Sequence, residues 1–441
     1  MILLLLWGDI FAQSKSVKEV NISNYLPSKA QKEIILAKVG DKLITVREFY
    51  ERAEYTIRPN YAKGKSELAK KIVLNSLIAE KLVVLERAAE SEIKNTKEFN
   101  RIVDGRKEQV MRQVLFNEEG YAKVKIDSSE LANEYKFAGR TYDVEFINCN
   151  ILEEAEYVVN QLKSDTVSVA QAYYNLIGEA KNPKQKIVWN SPEYSEISDL
   201  LFKNEVADNQ IFGPVKLPNS YLVFKVTGWI DKPAITETDQ MQRYKNVKDK
   251  LRLEKGTKEF IKFIRKVMAG KKLEFNKDVF RKLVKIMAPA YEDDLQKSEE
   301  EFAAKHLDKK NEVDNKFIEI ENSLTDIDDE ALLTIDGQIW TVGKYEEERK
   351  KHPLVINSKD VGGKKFAGQL KMAIVDLIQD KYLTEVAYER NLDEAFVTQR
   401  ITNMWSDALI SFYEQIQLIK EENAERSFTY DNVTKFFTPY M

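Results

Sequence analysis

The sequence predicts an α+β, multidomain chain in which mainly helical modules at the two ends flank a smaller α+β unit. Three observations predict it. A hairpin-plus-helix pattern occurs twice, with Val39 and Ile335 as equivalent positions 296 residues apart. Between the copies, from 141 to 229, the hydrophobic period changes from helical to strand-like. The chain of 441 residues is also too long for one ordinary core.

The first copy reads "AKVGDKLITVREF" at 37–49 and the second "TIDGQIWTVGKY" at 334–345. Each has a β-favouring segment, a two-residue turn, a second apolar segment and a Thr. The turns, Gly40-Asp41 and Asp336-Gly337, supply the positive φ that tight hairpins need. Thr45 and Thr341 follow as caps for a helix. Glu48, three residues after Thr45, completes a capping box; Lys344 stands at that place in the second copy. A further match follows each hairpin, "LIAEKLVVLERA" at 77–88 against "LIQDKYLTEVAY" at 377–388.

The helical text continues in order. Segment 66–89 carries Leu68, Ile72, Leu74, Leu77, Ile78, Leu82, Val84 and Leu85, more than one stripe, so it should pack on two sides. Segments 100–118 and 128–137 read as further helices, the latter capped by Asp127 or Ser128. In the middle, "YDVEFINC" has strand composition, "LEEAEYVVNQLKS" is an amphipathic helix and "VAQAYYNLI" a second one. "KIVWN", "GPVKL" and "YLVFKVTGW" then read as strands. After Pro233 a charged helix covers 236–269, and the charge run at 298–314 reads as a solvated face or linker. Helices then run from the second hairpin to about Asn423, and the aromatic end "SFTYDNVTKFFTPYM" has no assignment. The expected division is a signal peptide at 1–12, a helical module at 28–137, the α+β domain at 138–230, a helical linker region at 231–325 and a second hairpin-plus-helix module at 326–430.

Composition bounds the function. A net charge of −4 with both signs interspersed gives no stripe for nucleic acid and no basic face for a membrane. The lone Cys149 cannot form an internal disulfide and reads as a small apolar strand residue. His306 and His352 sit in charged text, which argues against a metal site or a histidine base. "VGGKK" at 361–365 lacks the first Gly of a phosphate-binding loop, and neither HExxH nor GxSxG occurs. No cofactor is implied. The opening "MILLLLWGDIFAQSKS" reads as a secretory signal cut after Ala12, although no basic residue precedes the apolar run and Asp9 interrupts it. No segment reaches the length a membrane-spanning helix needs. Export to the periplasm or another extracytoplasmic space is the expectation.

The middle segment resembles a parvulin-type peptidyl-prolyl isomerase domain. "EFINCNILEEAEYVVNQL" is similar to the family's first strand and helix. "KQKIVW" falls where the family has a GGxLGW segment, and "SEISDLLF" where it has a Phe-containing helix. "NQIFGPVKLPNSYLVFKV" resembles its closing G-x-x-S-x-P-V…G-Y-H-I-I-K-V run. The flanks, "AKVGDKLITVREF" with "LIAEKLVVLERA", resemble the chaperone region of SurA- and PrsA-like secreted foldases.

The resemblance implies binding of unfolded exported polypeptides and a site for X-Pro isomerisation, whose rotational barrier is ~18–20 kcal/mol. It also implies a pair of facing histidines, whose positions fall here on Glu145 and Leu222. Gln185 and Val188 replace glycines of the GGxLGW segment, and Ile197 stands where a groove Phe is expected. No catalytic residue is therefore assigned. Tyr194, Ile197, Phe202, Phe212 and Leu222 are candidates for an apolar peptide groove, each also readable as plain core. Three functions follow: a chaperone with a degenerate parvulin domain, an active isomerase with an atypical site, or an envelope scaffold that binds no client.

Overall fold

The computed structural model describes residues 32–53, 56, 62, 64–164, 167–179, 184–190, 195–217, 220–296, 323–352, 354 and 364–421. The signal-peptide segment, the charge run at 298–314 with His306, and the aromatic C-terminal segment lie outside them. In chain order the elements open with β1 (Ile35–Val39), β2 (Lys42–Thr45), α1 (Val46–Ala53), α2 (Ser66–Arg87), α3 (Lys97–Glu119) and α4 (Ser128–Phe137). The middle holds β3 (Arg140–Cys149), α5 (Leu152–Lys163), α6 (Val169–Ile177), β4 (Lys184–Val188), α7 (Ser195–Phe202), β5 (Ile211–Lys216) and β6 (Tyr221–Asp231). After α8 (Glu237–Val267) come β7 (Leu273–Phe275), α9 (Lys277–Gln296), β8 (Ala331–Ile335), β9 (Gln338–Thr341), α10 (Val342–Lys351), α11 (Lys364–Glu389) and α12 (Phe396–Glu421). The fold is α+β and mainly helical, as the sequence predicts. Among the described residues no helix is long and apolar enough to cross a membrane.

The chain forms two compact units. One is Glu119–Phe260; the other joins Met1–Glu118 with Ile261–Met441. The segments that read as two terminal modules thus share a single unit. Both hairpins form by local rules. Gly40 takes φ +59°, while Asp336 and Gly337 take +49° and +78°, so the second turn has both central residues in the left-handed region. Thr45 and Thr341 each accept the backbone N–H three residues on, at 3.2 Å. The capping box is only half made, because the Glu48 carboxylate reaches Lys81 at 2.8 Å instead.

Helix α2 is apolar on more than one side because it meets two partners. Val73 and Leu77 pack under the hairpin with Val39 and Ile44. Ala79 and Val83 face Leu418 of α12. At about 1.5–3 kcal/mol per buried large side chain, these contacts hold the chain's two ends together. Charged groups register the joint. Buried Lys81 meets Asp407 at 3.2 Å and Arg400 meets Glu51 at 3.0 Å, while Arg52 holds Glu80 at 2.8 Å on the N-terminal side. Arg112 donates to Thr384 at 2.7 Å. The second hairpin anchors the other main core of this unit, with Trp340, Tyr345, Phe366, Leu370 and Ile374.

The Glu119–Phe260 unit is built on a four-stranded antiparallel sheet of order β4-β3-β6-β5. Helices α5 and α6 cover one face through Ala155, Val158, Leu162 and Ala172, against Ile147, Cys149 and Val223. Helix α7 covers the other through Ile197, Leu201 and Phe202. Asp127 caps α4, accepting from the N–H groups of Ser129 at 2.7 Å and Glu130 at 3.3 Å. Helix α8 docks through Val247 and Leu251 against Leu131.

Candidate functional site

Strands β3 and β6 decide what the middle sheet can do. Their register pairs Val144 with Val226, Phe146 with Phe224 and Asn148 with Leu222. Side chains alternate along a strand, so Val144, Phe146 and Asn148 share a face with Leu222, Phe224 and Val226. An extra residue, Thr227, sits opposite the Asp143/Val144 step. That bulge returns Trp229 to the same face as Val226, where it joins Tyr142 at 5.9 Å between ring centroids. Phe212 of β5 stacks on Phe224 at 4.9 Å. Tyr142 meets Phe202 edge-on at 5.3 Å. Around Leu222 the central strands offer this face no carboxylate, imidazole or thiol; at its far end Arg140 Nε donates to Asp231 at 2.7 Å. Its one phenol, Tyr142, is buried, and burial holds its ionisation up.

The sequence-predicted residues separate on this sheet. Glu145 pairs with Lys225 and lies on the opposite face from Leu222, so the two do not face each other across a groove. It pairs across the sheet with Lys184 at 3.0 Å. The clue was in the text: "YDVEF" alternates Tyr142, Val144 and Phe146 against Asp143 and Glu145. Ile197, Phe202 and Leu222 do share one cluster, but at 3%, 1% and 8% exposure they form its interior. Phe212 is half-buried and sits at the edge of that cluster. Tyr194 lies outside the described residues. Gln185 and Val188 fall on β4, where they pair with Val144 and Thr141.

The remaining chemistry-bearing residues are structural. Cys149 is buried beneath α5, and that burial, with the nearby Glu154 charge, pushes its thiol up to about 11. His352 meets Glu108 at 2.7 Å. Burial alone would raise the Glu108 carboxyl; hydrogen bonds and charge from His352 and Lys351 outweigh it and bring it down to about 2. Among the described residues no group of three or more His, Cys, Asp or Glu could hold a metal ion.

A second surface on this unit was not anticipated. Helices α4 and α8 leave between them an open groove of about 830 Å³. Leu131, Ala132 and Tyr135 line one side, and Met241 and Tyr244 the other, with Lys245 its one charged side chain. Met241 is 67% exposed and Tyr244 48%. Above Tyr135 the Arg243 guanidinium lies 5.8 Å from the ring centroid. Behind the groove, Glu134 ties the two helices and the sheet together. It accepts from Lys250 Nζ at 2.6 Å and from Trp189 Nε1 at 3.0 Å. Its sequence signal is the wide spacing of Met241, Tyr244, Val247 and Leu251 along the charged segment 236–269.

Neither a family model nor a curated protein matches the chain. Solved structures similar to parts of it include the following two. Foldase protein PrsA from Streptococcus pneumoniae str. Canada MDR_19A is 14% identical, with a TM-score of 0.23, over 51% of this chain and 87% of that one. PrsA from Bacillus subtilis is 14% identical, with a TM-score of 0.19, over 52% and 93%. Likenesses this loose decide neither fold nor activity.

Proposed function

We propose that this chain is an exported chaperone of the SurA/PrsA-like foldase kind. It holds extended segments of unfolded polypeptides, and its parvulin-like middle unit has lost isomerase chemistry. The observation that carries the reading is the exposed, nearly uncharged α4–α8 groove. Methionine and tyrosine there give adaptable apolar contact without demanding a fixed sequence. The apolar face around Leu222 supports the loss of chemistry. Twisting an X-Pro amide faster needs polar groups preorganised over it, and beside Leu222 the strands offer that face only Phe146, Asn148 and Phe224, none of which ionises. The rim of Phe212 and Phe146 adds a lesser contact for peptide. The resemblance of the flanks and the secretory reading of the first residues support an extracytoplasmic setting.

The test pairs two assays on the full chain. Suppression of aggregation of a heat-denatured client is expected, and a protease-coupled X-Pro tetrapeptide assay should give no turnover above background. Met241→Asp with Tyr244→Asp should weaken suppression severalfold while leaving the circular dichroism spectrum unchanged. Turnover abolished by Leu222→Asp, but not by changes elsewhere, would favour the isomerase reading instead. No suppression and no peptide binding, with one defined partner captured, would favour the scaffold.

A further inference from the structure

The two hairpins are equivalent in sequence, yet among the described residues only one has its outer edge paired. In the second copy, β7 lies antiparallel along β8, pairing Leu273 with Ile335, Glu274 with Thr334 and Phe275 with Leu333. Beyond the strand ends, Asn276 donates to the Leu332 carbonyl at 2.9 Å and Asp336 donates to the Lys272 carbonyl at 3.1 Å. The edge groups of β8 therefore belong to residues 332, 334 and 336. The 296-residue offset carries these onto Leu36, Lys38 and Gly40 of β1. In the first copy, Ala37 pairs with Ile44 and Val39 with Lys42 across the ladder to β2. That alternation turns the backbone N–H and C=O of Leu36 and Lys38 away from β2. Among the described residues the β1–β2 sheet has two strands and no third.

The occupied copy also specifies the occupant. Leu273 and Phe275 turn inward onto the core of the second copy, and Glu274 lies between them on the outer face. At the equivalent inward positions β1 has Ala37 and Val39, above the cluster of Ile44, Val73 and Leu77. At the outer position it has exposed Lys38, where β8 has Thr334. Leu36 and Leu43, both exposed, flank Lys38 on that face. An acidic residue opposite Lys38 would meet complementary charge, and its apolar neighbours would extend the hairpin's packed side.

We propose that the free edge of β1 accepts an extended polypeptide segment as a third strand. The segment runs antiparallel to β1 and carries an acidic residue between two apolar ones, with the acid opposite Lys38. This rests on the reading of the chain as a polypeptide binder and names the segment class that it takes at this edge. Backbone hydrogen bonds supply sequence-tolerant affinity, and the charge at Lys38 supplies selectivity.

The test uses the full chain and a fluorescent peptide, Lys-Lys-Leu-Glu-Phe-Asn, which copies residues 271–276. Binding is read by anisotropy and located by hydrogen exchange over 32–45. The peptide should bind and slow exchange there. Lys38→Pro removes an edge N–H that β2 does not use, so it should abolish binding without changing the circular dichroism spectrum or urea midpoint. Lys38→Glu should weaken binding about three- to tenfold, and a peptide with Lys in place of its Glu should recover the loss. Binding untouched by Lys38→Pro would overturn the proposal, since the peptide would then be displacing β7 from β8. Slow exchange of β1 in the free chain would also overturn it, because the edge would already be covered. Failure of the peptide with aggregation suppression intact would sink this inference alone; failure of both would sink the chaperone reading as well.

Discussion

Replacing Glu108 with Gln tests how the chain's distant halves are held in one unit. Glu108 lies buried on α3 and gathers three donors from the far end of the sequence: Lys351 Nζ, His352 Nε2 at 2.7 Å and the Tyr388 hydroxyl at 3.2 Å. These partners hold its carboxyl at about 2, against an ordinary 4.5. At about 1.4 kcal/mol per pH unit, that lowering corresponds to about 3 kcal/mol of stability. Gln keeps one neutral acceptor worth about 1 kcal/mol, so the expected net loss at pH 7 is about 2 kcal/mol. The sign follows from the direction of the shift. A carboxyl depressed in the folded state stabilises fully above pH 4.5, and the benefit is lost as pH falls through about 2. Urea titrations of wild type and variant, followed by circular dichroism at several pH values, read the gap directly. It should be widest near neutrality and close steadily below pH 4.5. A gap under about 0.5 kcal/mol at pH 7, or one constant down to pH 2, would refute the assignment.

Other substitutions separate local from tertiary effects. Gly105→Ala should destabilise although Ala is the better helix former by about 1 kcal/mol, because its Cβ would lie 2.2 Å from the Lys351 carbonyl oxygen. Gly368→Ala on α11, with nothing within 4 Å of the added Cβ, should raise the melting temperature. Lys81→Met should cost about 3–5 kcal/mol, since it takes the buried cation from the carboxylates of Glu48 and Asp407 and leaves Glu80 with Arg52 alone; a melting-temperature series measures it. Cys149 should react with a thiol reagent at pH 8 only after urea unfolding, because its native thiol is buried and held up to about 11. Rapid labelling of the native chain would overturn that.

Much of the local structure was legible. The hairpin turns, the Thr caps, the Asp127 cap and the order of elements in the middle unit follow from short-range rules that act whatever surrounds them. Helix α2 announced two packing partners by its apolar residues on more than one side, though it could not name them. Strand β7 was not legible, because three residues carry no measurable period. The faces of Glu145 and Leu222 needed the pairing of β3 with β6, and openness at Ile197 and Phe202 depended on how closely α7 sits over the sheet.

The sequence by itself determined most of the elements and the duplication of the hairpin: Gly and Asp at the turns, Thr at the caps and the spacing of apolar residues act within a few residues of chain. Only the tertiary structure decided that the two ends share one unit. It also decided that the Leu222 face is filled from within, and that β8 is paired along its outer edge while β1 has no strand partner there among the described residues. Those outcomes rest on contacts such as Lys81 with Asp407, 326 residues apart, and on inter-strand register. Their energies depend on which distant surfaces meet, which no local pattern encodes.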